Sequence, residues 1–506
     1  MTARIIAKAV GFTLLVLAFA AAHTQRPLYY SNQNHRFLHG LAHAGIGYLP
    51  EDWLANTADP TPLFSLLVEA TCRWGHIRFF YVYQVLITAV YLASLVGIAH
   101  LFFGPTWRLS QTLVFVALFV FVHSTLLNTA LGGEYVSEVG NFLHTGVAGQ
   151  YVLGPCLQPS VVGVFLIASV CLFVYSRPYA AVFAAALAAT LHSTYLLSAA
   201  FLTLSYVAVL VVDRRSKAAM TTAGMALLAV APVVVYTAIR FQPSSPEEFA
   251  TANAIMAHKR FPHHTDLNHW LNMAVLVQVI LVLAAIVVSR DRSLPPVMLI
   301  SLAGAFAMTF LQNELVSDSL ALLFPWRASV WLVPTATTVL LARSIAALFR
   351  LPVWTKFRAG VIASVSGVFI AVCAGDGLQR MSVWNMAHSR EAELFEFVKG
   401  EIREGQVWLV PVHLETFRLA TGAPIFVDYK SHPYKDAEVL NWKQRLDLAE
   451  SVYADLRSDT LISVAFHEGI THVVTGTPLT DSRFELAYRD QFYVVYRLRP
   501  GSGVAK

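Results

Sequence analysis

The stretch AAVFAAALAATLHSTYLLSAAFLTLSYVAVLVV, residues 180–212, decides the fold class. As one helix its 33 residues would reach about 50 Å at 1.5 Å per residue, well beyond a hydrocarbon core of roughly 30 Å. His192-Ser193-Thr194 interrupts the run, so it reads as two half-length or tilted spans meeting at one membrane face. Outward from it, further apolar runs lie at 13–22, 79–103, 111–131, 153–175, 218–239, 271–289, 294–311, 328–348 and 359–374, about eleven spans in all. With 56% hydrophobic and only 13% charged residues over 506, a solvated globule is excluded. The expected fold is an all-α polytopic membrane bundle over 1–375, with a long first outer loop at 23–78.

Lys and Arg concentrate at Arg4 and Lys8, Arg108, Arg177, Arg214 to Lys217, Arg290 to Arg292 and Arg343 to Arg358, in loops that alternate in step with the spans. By the positive-inside rule these loops are cytoplasmic, as is the N-terminus, and an odd number of spans puts the C-terminal domain outside. The expected arrangement is therefore a multi-pass membrane protein with its C-terminal domain on the outer side. Arg4 and Lys8 ahead of an apolar run ending in Ala20-Ala21-Ala22 imitate a secretory signal, but the run is read as a retained first span. Cys72, Cys156, Cys171 and Cys373 form no CxxC and no His-flanked cluster, so neither a zinc site nor a redox pair is signalled; Cys72 and Cys156 could bridge outside, but nothing in the sequence supports that pairing. The net charge of +5 reflects cytoplasmic anchors, and no basic tract interleaved with aromatics points to nucleic acid.

Residues 376–506 return to soluble charge density and read as a small α/β domain. Strands are expected at 406–412, 424–429, 470–475 and 491–498, helices at 391–404 and 435–456. No Gly-rich turn joins a strand to a helix, so a nucleotide loop is not signalled. Lys430-Ser431-His432-Pro433-Tyr434 either turns the chain after a strand or touches a ligand.

The chemistry-bearing residues cluster in the outer loops. In the first, Asp52 and Asp59 flank Asn56-Thr57; either could act as a general base or share a divalent metal with a phosphate, and either could cap a short helix or start a turn before proline. In the second, Glu134 and Glu138 stand at i, i+4 and share a face if helical, for a metal or sugar hydroxyls or simply for water. His192, inside an apolar run, needs a partner across helices or a ligand. His258-Lys259-Arg260-Phe261-Pro262-His263-His264 is a basic, imidazole-rich loop in which Arg260, His263 and His264 suit an anion better than a metal. Asn313, Glu314 and Asp318 precede Phe324-Pro325-Trp326-Arg327, where Arg327 opens an apolar helix and should pair with Glu314 or with a phosphate.

This layout resembles the C superfamily of glycosyltransferases (GT-C), integral membrane enzymes that use polyprenyl-phosphate sugars. The likeness spans the whole chain: an acid-bearing first loop, here Asp52-Trp53-Leu54-Ala55-Asn56-Thr57-Ala58-Asp59-Pro60, a basic residue at an outer helix end, Arg327, and an outer C-terminal domain. It looks most like a bacterial branch, and implies a GT-C-like fold, a place in a bacterial inner membrane with the C-terminal domain periplasmic or extracellular, and transfer of a sugar from a lipid-linked donor to a glycan, lipid or protein acceptor. By the same resemblance Asp52 or Asp59 is the catalytic residue, Arg327 or Arg260 holds the lipid phosphate, and a divalent cation (Mg or Mn) could assist. One departure matters: where many members carry an acid directly after the first span, this chain has Ser31-Asn32-Gln33-Asn34-His35, whose amides bind hydroxyls but accept no proton. The rival readings are a transporter or lipid flippase, against which no internal repeat of broken helices is visible, and a non-catalytic assembly protein.

Overall fold

A computed structural model of the chain describes residues 2–23, 25–103, 108–130, 141–351, 359–386, 389–456 and 459–499. The chain divides into two compact units. The first comprises Met1–Arg26, Phe80–Tyr236 and Ala257–Trp384; the second comprises Pro27–Phe79, Thr237–Met256 and Asn385–Lys506. The first outer loop therefore belongs to the same unit as the C-terminal domain.

Among the described residues seven helices are long and apolar enough to cross a membrane, and four shorter apolar helices accompany them. The eleven correspond one by one to the runs read from the sequence. The long run at 180–212 breaks where the polar triplet falls. Helix Pro178–Leu191 stops at His192, whose backbone is extended (φ −150°, ψ 102°), a 3-10 turn covers Ser193–Tyr195, and a second helix runs Leu196–Val212. Some polar groups inside this unit are paired across helices, as Ser169 Oγ is with the Ala181 carbonyl at 2.7 Å and the Tyr206 hydroxyl at 2.8 Å. Outward faces are apolar: helix Ser216–Arg240 leaves Leu227 70% and Leu228 78% exposed, as a lipid-facing surface requires. All four cysteines are free.

The second unit contains a four-stranded sheet in the order β1-β2-β4-β3, with β1 Trp408–Leu409, β2 His472–Thr475, β3 Phe484–Arg489 and β4 Val494–Leu498. β1 and β2 are parallel, and the other pairs antiparallel. Helices Ala392–Glu401 and Asp436–Ala454 fall where expected. Two strand expectations change. β3 was not anticipated, because Phe-Glu-Leu-Ala-Tyr-Arg puts a single buried residue at its start and leaves the rest at the sheet edge. The segment 424–429 is buried as expected but joins the sheet only through a bridge between Ile425 and Trp408. Pro424 has no N–H to donate, and Asp428 turns the chain away.

The first loop is built into this unit. Trp53 packs on the core of Trp442, Leu446 and Phe426, and Tyr48 on that of Trp408 and Phe417. Gly47 (φ +56°) and Gly422 (φ +76°) meet backbone to backbone: a Cβ on Gly47 would lie 2.7 Å from the Gly422 carbonyl oxygen, which accepts from Tyr48 N at 2.9 Å.

Candidate functional site

In the second unit, the 3-10 turn Leu49–Glu51 delivers Asp52 into the interior. Its Oδ1 accepts from Leu54 N at 2.9 Å, and its Oδ2 accepts from Arg418 Nε at 2.9 Å and from Ile425 N at 3.0 Å. Arg418 donates from Nη1 to Asp428 Oδ2 at 2.7 Å, and Asp428 Oδ1 accepts from Ser431 N at 2.6 Å. Asp52 and Asp428 are 0% and Arg418 1% exposed. A carboxylate committed to three donors in a closed interior has no lone pair directed at a substrate, so the geometry makes Asp52 an anchor. Asp59 is different. It is half-buried, and its Oδ1 accepts from Thr61 N at 2.8 Å, the Asx turn that the following proline favours. Near it, burial holds His39 below its ordinary pKa while the Asp59 carboxylate pulls the other way.

In the first unit, the turn between helices Leu294–Glu314 and Ser329–Leu348 carries Arg327. Phe324 ahead of it adopts left-handed backbone (φ +50°), a strained conformation for an aromatic residue. The Arg327 guanidinium lies 5.7 Å from the Tyr195 ring and 5.6 Å from the Phe324 ring. Its Nε is buried with no hydrogen-bond partner among the described residues. Against Phe324 packs His264 (ring centroids 5.9 Å), which in turn meets His263 at 4.1 Å. His264 Nδ1 is likewise buried without a partner. Burial first, then the charges of His263, Arg327 and Arg260, hold the His264 pKa well below the ordinary imidazole range. Arg260 is buried over the Phe261 ring, and Phe261 packs edge-on against Phe324. His192 packs edge-on against Tyr195, at 5.5 Å.

The structure thus brings His192, Arg260, His263, His264 and Arg327 into one cluster. Among the described residues neither Arg327 nor His264 has a carboxylate partner. Glu314, the ion-pair partner anticipated for Arg327, is exposed and forms no pair with it. The acid nearest in sequence, Asp318, is taken by His258 at 2.9 Å. A cavity of about 400 Å³ opens beside the same segments, lined by His258, Asp266, Asn268, Gln312, Asn313 and Asp318 among others. Glu134 and Glu138 lie outside the described residues. No group of three or more His, Cys, Asp or Glu side chains placed to hold a metal occurs among the described residues.

Two constellations escape a reading of the sequence. In the Asp52–Arg418–Asp428 network Asp52 and Arg418 lie 366 residues apart, and no local pattern marks Arg418 as buried. In the first unit the His123 and His144 rings lie tilted against each other with centroids 4.4 Å apart, with the Tyr91 hydroxyl 2.9 Å from His123 Nε2 and His23 Nδ1 3.1 Å from the His123 carbonyl. Isolated histidines at the ends of apolar runs were the only signal.

A family model for a domain of unknown function, DUF6798, matches residues 389–449. No curated protein sequence matches the chain. Among solved structures the chain is similar to ArnT from Cupriavidus metallidurans bound to undecaprenyl phosphate, at 13% identity and TM-score 0.44 over 100% of both chains. It is also similar to ArnT from the same organism in the apo state, at 13% identity and TM-score 0.40, over 97% of this chain and 98% of that one.

Proposed function

We propose that this protein is a membrane glycosyltransferase that moves a sugar from a polyprenyl-phosphate donor to an acceptor hydroxyl. The observation that carries the reading is the Arg327 cluster: a guanidinium and imidazoles gathered at the end of an apolar helix, in which Arg327 Nε and His264 Nδ1 have no hydrogen-bond partner and neither residue pairs with a carboxylate among the described residues. Such a set is matched by an anion attached to an apolar chain, and Arg presents paired donors to phosphate. In the reaction the acceptor oxygen bonds to the anomeric carbon as the bond from that carbon to the phosphate oxygen breaks. The lipid phosphate leaves with the electron pair, and the acceptor proton passes to a carboxylate. Arg327, His264 and Arg260 stabilise the charge that develops on the leaving phosphate. Of the two first-loop acids within the second unit, only Asp59 is open to solvent, so Asp59 and not Asp52 is the acid whose loss should lower activity.

The test uses the full chain in nanodiscs with a polyprenyl-phosphate sugar labelled in the sugar. Labelled sugar should leave the lipid, and Asp59→Asn, which keeps the Oδ1 acceptor for Thr61 N, should slow release about 100-fold or more with little change in melting temperature. Transbilayer movement of intact donor without cleavage would replace this reading with that of a flippase.

A further inference from the structure

Within the second unit the structure joins two polar segments that lie about four hundred residues apart in the sequence: Ser31 to Arg36 and Lys430 to Tyr434. The first is held in strained backbone, with Tyr29 at φ +67° and Ser31 at φ +53°, neither of them glycine. Gln33 fixes the turn by accepting from Tyr29 N at 2.8 Å. The His35 ring stands 4.4 Å from His432 and 5.7 Å from Tyr434. The Arg36 guanidinium lies 4.8 Å over the Tyr434 ring and bonds its hydroxyl through Nη2. Ser431 Oγ donates to the Asn34 carbonyl at 3.5 Å.

Asn34 is 1% exposed, yet neither its Nδ2 nor its Oδ1 has a hydrogen-bond partner among the described residues, and Arg36 Nη1 is buried in the same condition. Folding strips these groups of water and returns nothing, which proteins tolerate where a ligand or an ordered water completes the set. The demands differ by atom. An amide offers one donor side and one acceptor side, which a hydroxyl matches; a free guanidinium N–H calls for an anionic oxygen. The Asp428 carboxylate next to Ser431 already serves Arg418 and Ser431 N, so it does not neutralise Arg36.

We propose that Asn34 and Arg36, walled by His35, His432 and Tyr434, form a binding site for a hydroxylated anion, a sugar bearing a carboxylate or a phosphate. The inference requires binding only and stands whether or not the chain transfers sugars. Isothermal titration of the full chain in nanodiscs with glucuronate, glucose 1-phosphate, glucose and inorganic phosphate tests it. At least one anionic sugar should bind ten times or more tighter than both glucose and phosphate alone. Asn34→Ala and Arg36→Gln should each weaken it tenfold or more. Asn34→Asp, of the same shape but anionic, should weaken it at least as much, and serves if Asn34→Ala fails to fold. Which of the two anionic sugars binds identifies the anion. No saturable binding by any probe, equal binding of glucose or phosphate, or binding unchanged by the Asn34 substitutions would overturn the proposal and leave the segment as one completed by water.

Discussion

Two arginines, one in each unit, are buried to different ends. Arg418 lies at 1% exposure between Asp52 and Asp428, its charge matched by two carboxylates within 2.9 Å. Arg327 sits half-buried over two aromatic rings, with an imidazole cluster around it and no carboxylate partner among the described residues. The first is compensated inside the fold and so contributes to structure. The second has no such compensation among the described residues, and that is the ground on which we propose that it receives an anion.

The comparison breaks most visibly if Arg418 proves dispensable. Arg418→Met strands two carboxylates in a dry interior, and removing one partner of a buried pair costs about 3–5 kcal/mol, enough to lose the folded protein on size-exclusion chromatography. Replacing all three charges together, as Asp52→Asn, Arg418→Met and Asp428→Asn, should recover most of the loss. Each asparagine keeps one acceptor oxygen, for Ile425 N and Ser431 N respectively, and Leu54 N loses its side-chain acceptor. If that triple variant folds and retains activity, Asp52 is structural; if it folds and is inactive, Asp52 is the base after all.

Arg327→Gln is the counterpart. It should leave the melting temperature unchanged or slightly raised, since an uncompensated charge is removed, and weaken polyprenyl-phosphate binding about 10–100-fold, read by quenching of Trp326 next to it. A large loss of stability with unchanged binding would make the two arginines alike.

The same contrast was only half legible in the sequence. The spans, the break at His192 and the gathering of Arg260, His264 and Arg327 at polar loops all follow from hydropathy, because a membrane helix must be apolar over its full length and departures stand out. Arg327 was conspicuous for that reason. Arg418 was not, since in a domain of ordinary charge density one arginine in Thr-Phe-Arg-Leu-Ala looks like any surface residue. What buries it is Asp52, reached through tertiary folding alone. Asp52 and Asp59 likewise looked equivalent on paper, and only the placement of the first loop within the second unit separates them.

A pH titration sharpens the picture at the Arg327 cluster. His264 is held neutral in the folded state, by burial and then by His263, Arg327 and Arg260, while an unfolded histidine titrates near about 6.5. The stability it supports is therefore complete above about pH 6.5 and declines as the pH falls below that value, because the unfolded chain takes up a proton that the folded chain resists. Melting curves from pH 8 to 5 should show a smaller acid-side decline in His264→Gln than in the parent. Bound polyprenyl phosphate should shrink the parent's decline too, since an anion favours the imidazolium. A decline identical in parent and variant would place the acid sensitivity elsewhere.

The smallest effect belongs to the pair intermediate between the two arginines, His258 with Asp318. It has a partner, as Arg418 does, but the His258 and Asp318 side chains are 69% and 32% exposed. Water already solvates both ends, so their attraction is worth well under about 1 kcal/mol and neither is stranded when the other goes. Asp318→Asn should shift stability by no more than about 0.5 kcal/mol in chemical denaturation, and should do so less at high salt, where screening removes what attraction remains. If it instead matched the cost of Arg418→Met, then exposure to solvent would not be what separates a charge that can be left alone from one that cannot. The distinction drawn between Arg418 and Arg327 rests on that premise, so this weakest substitution is also its control.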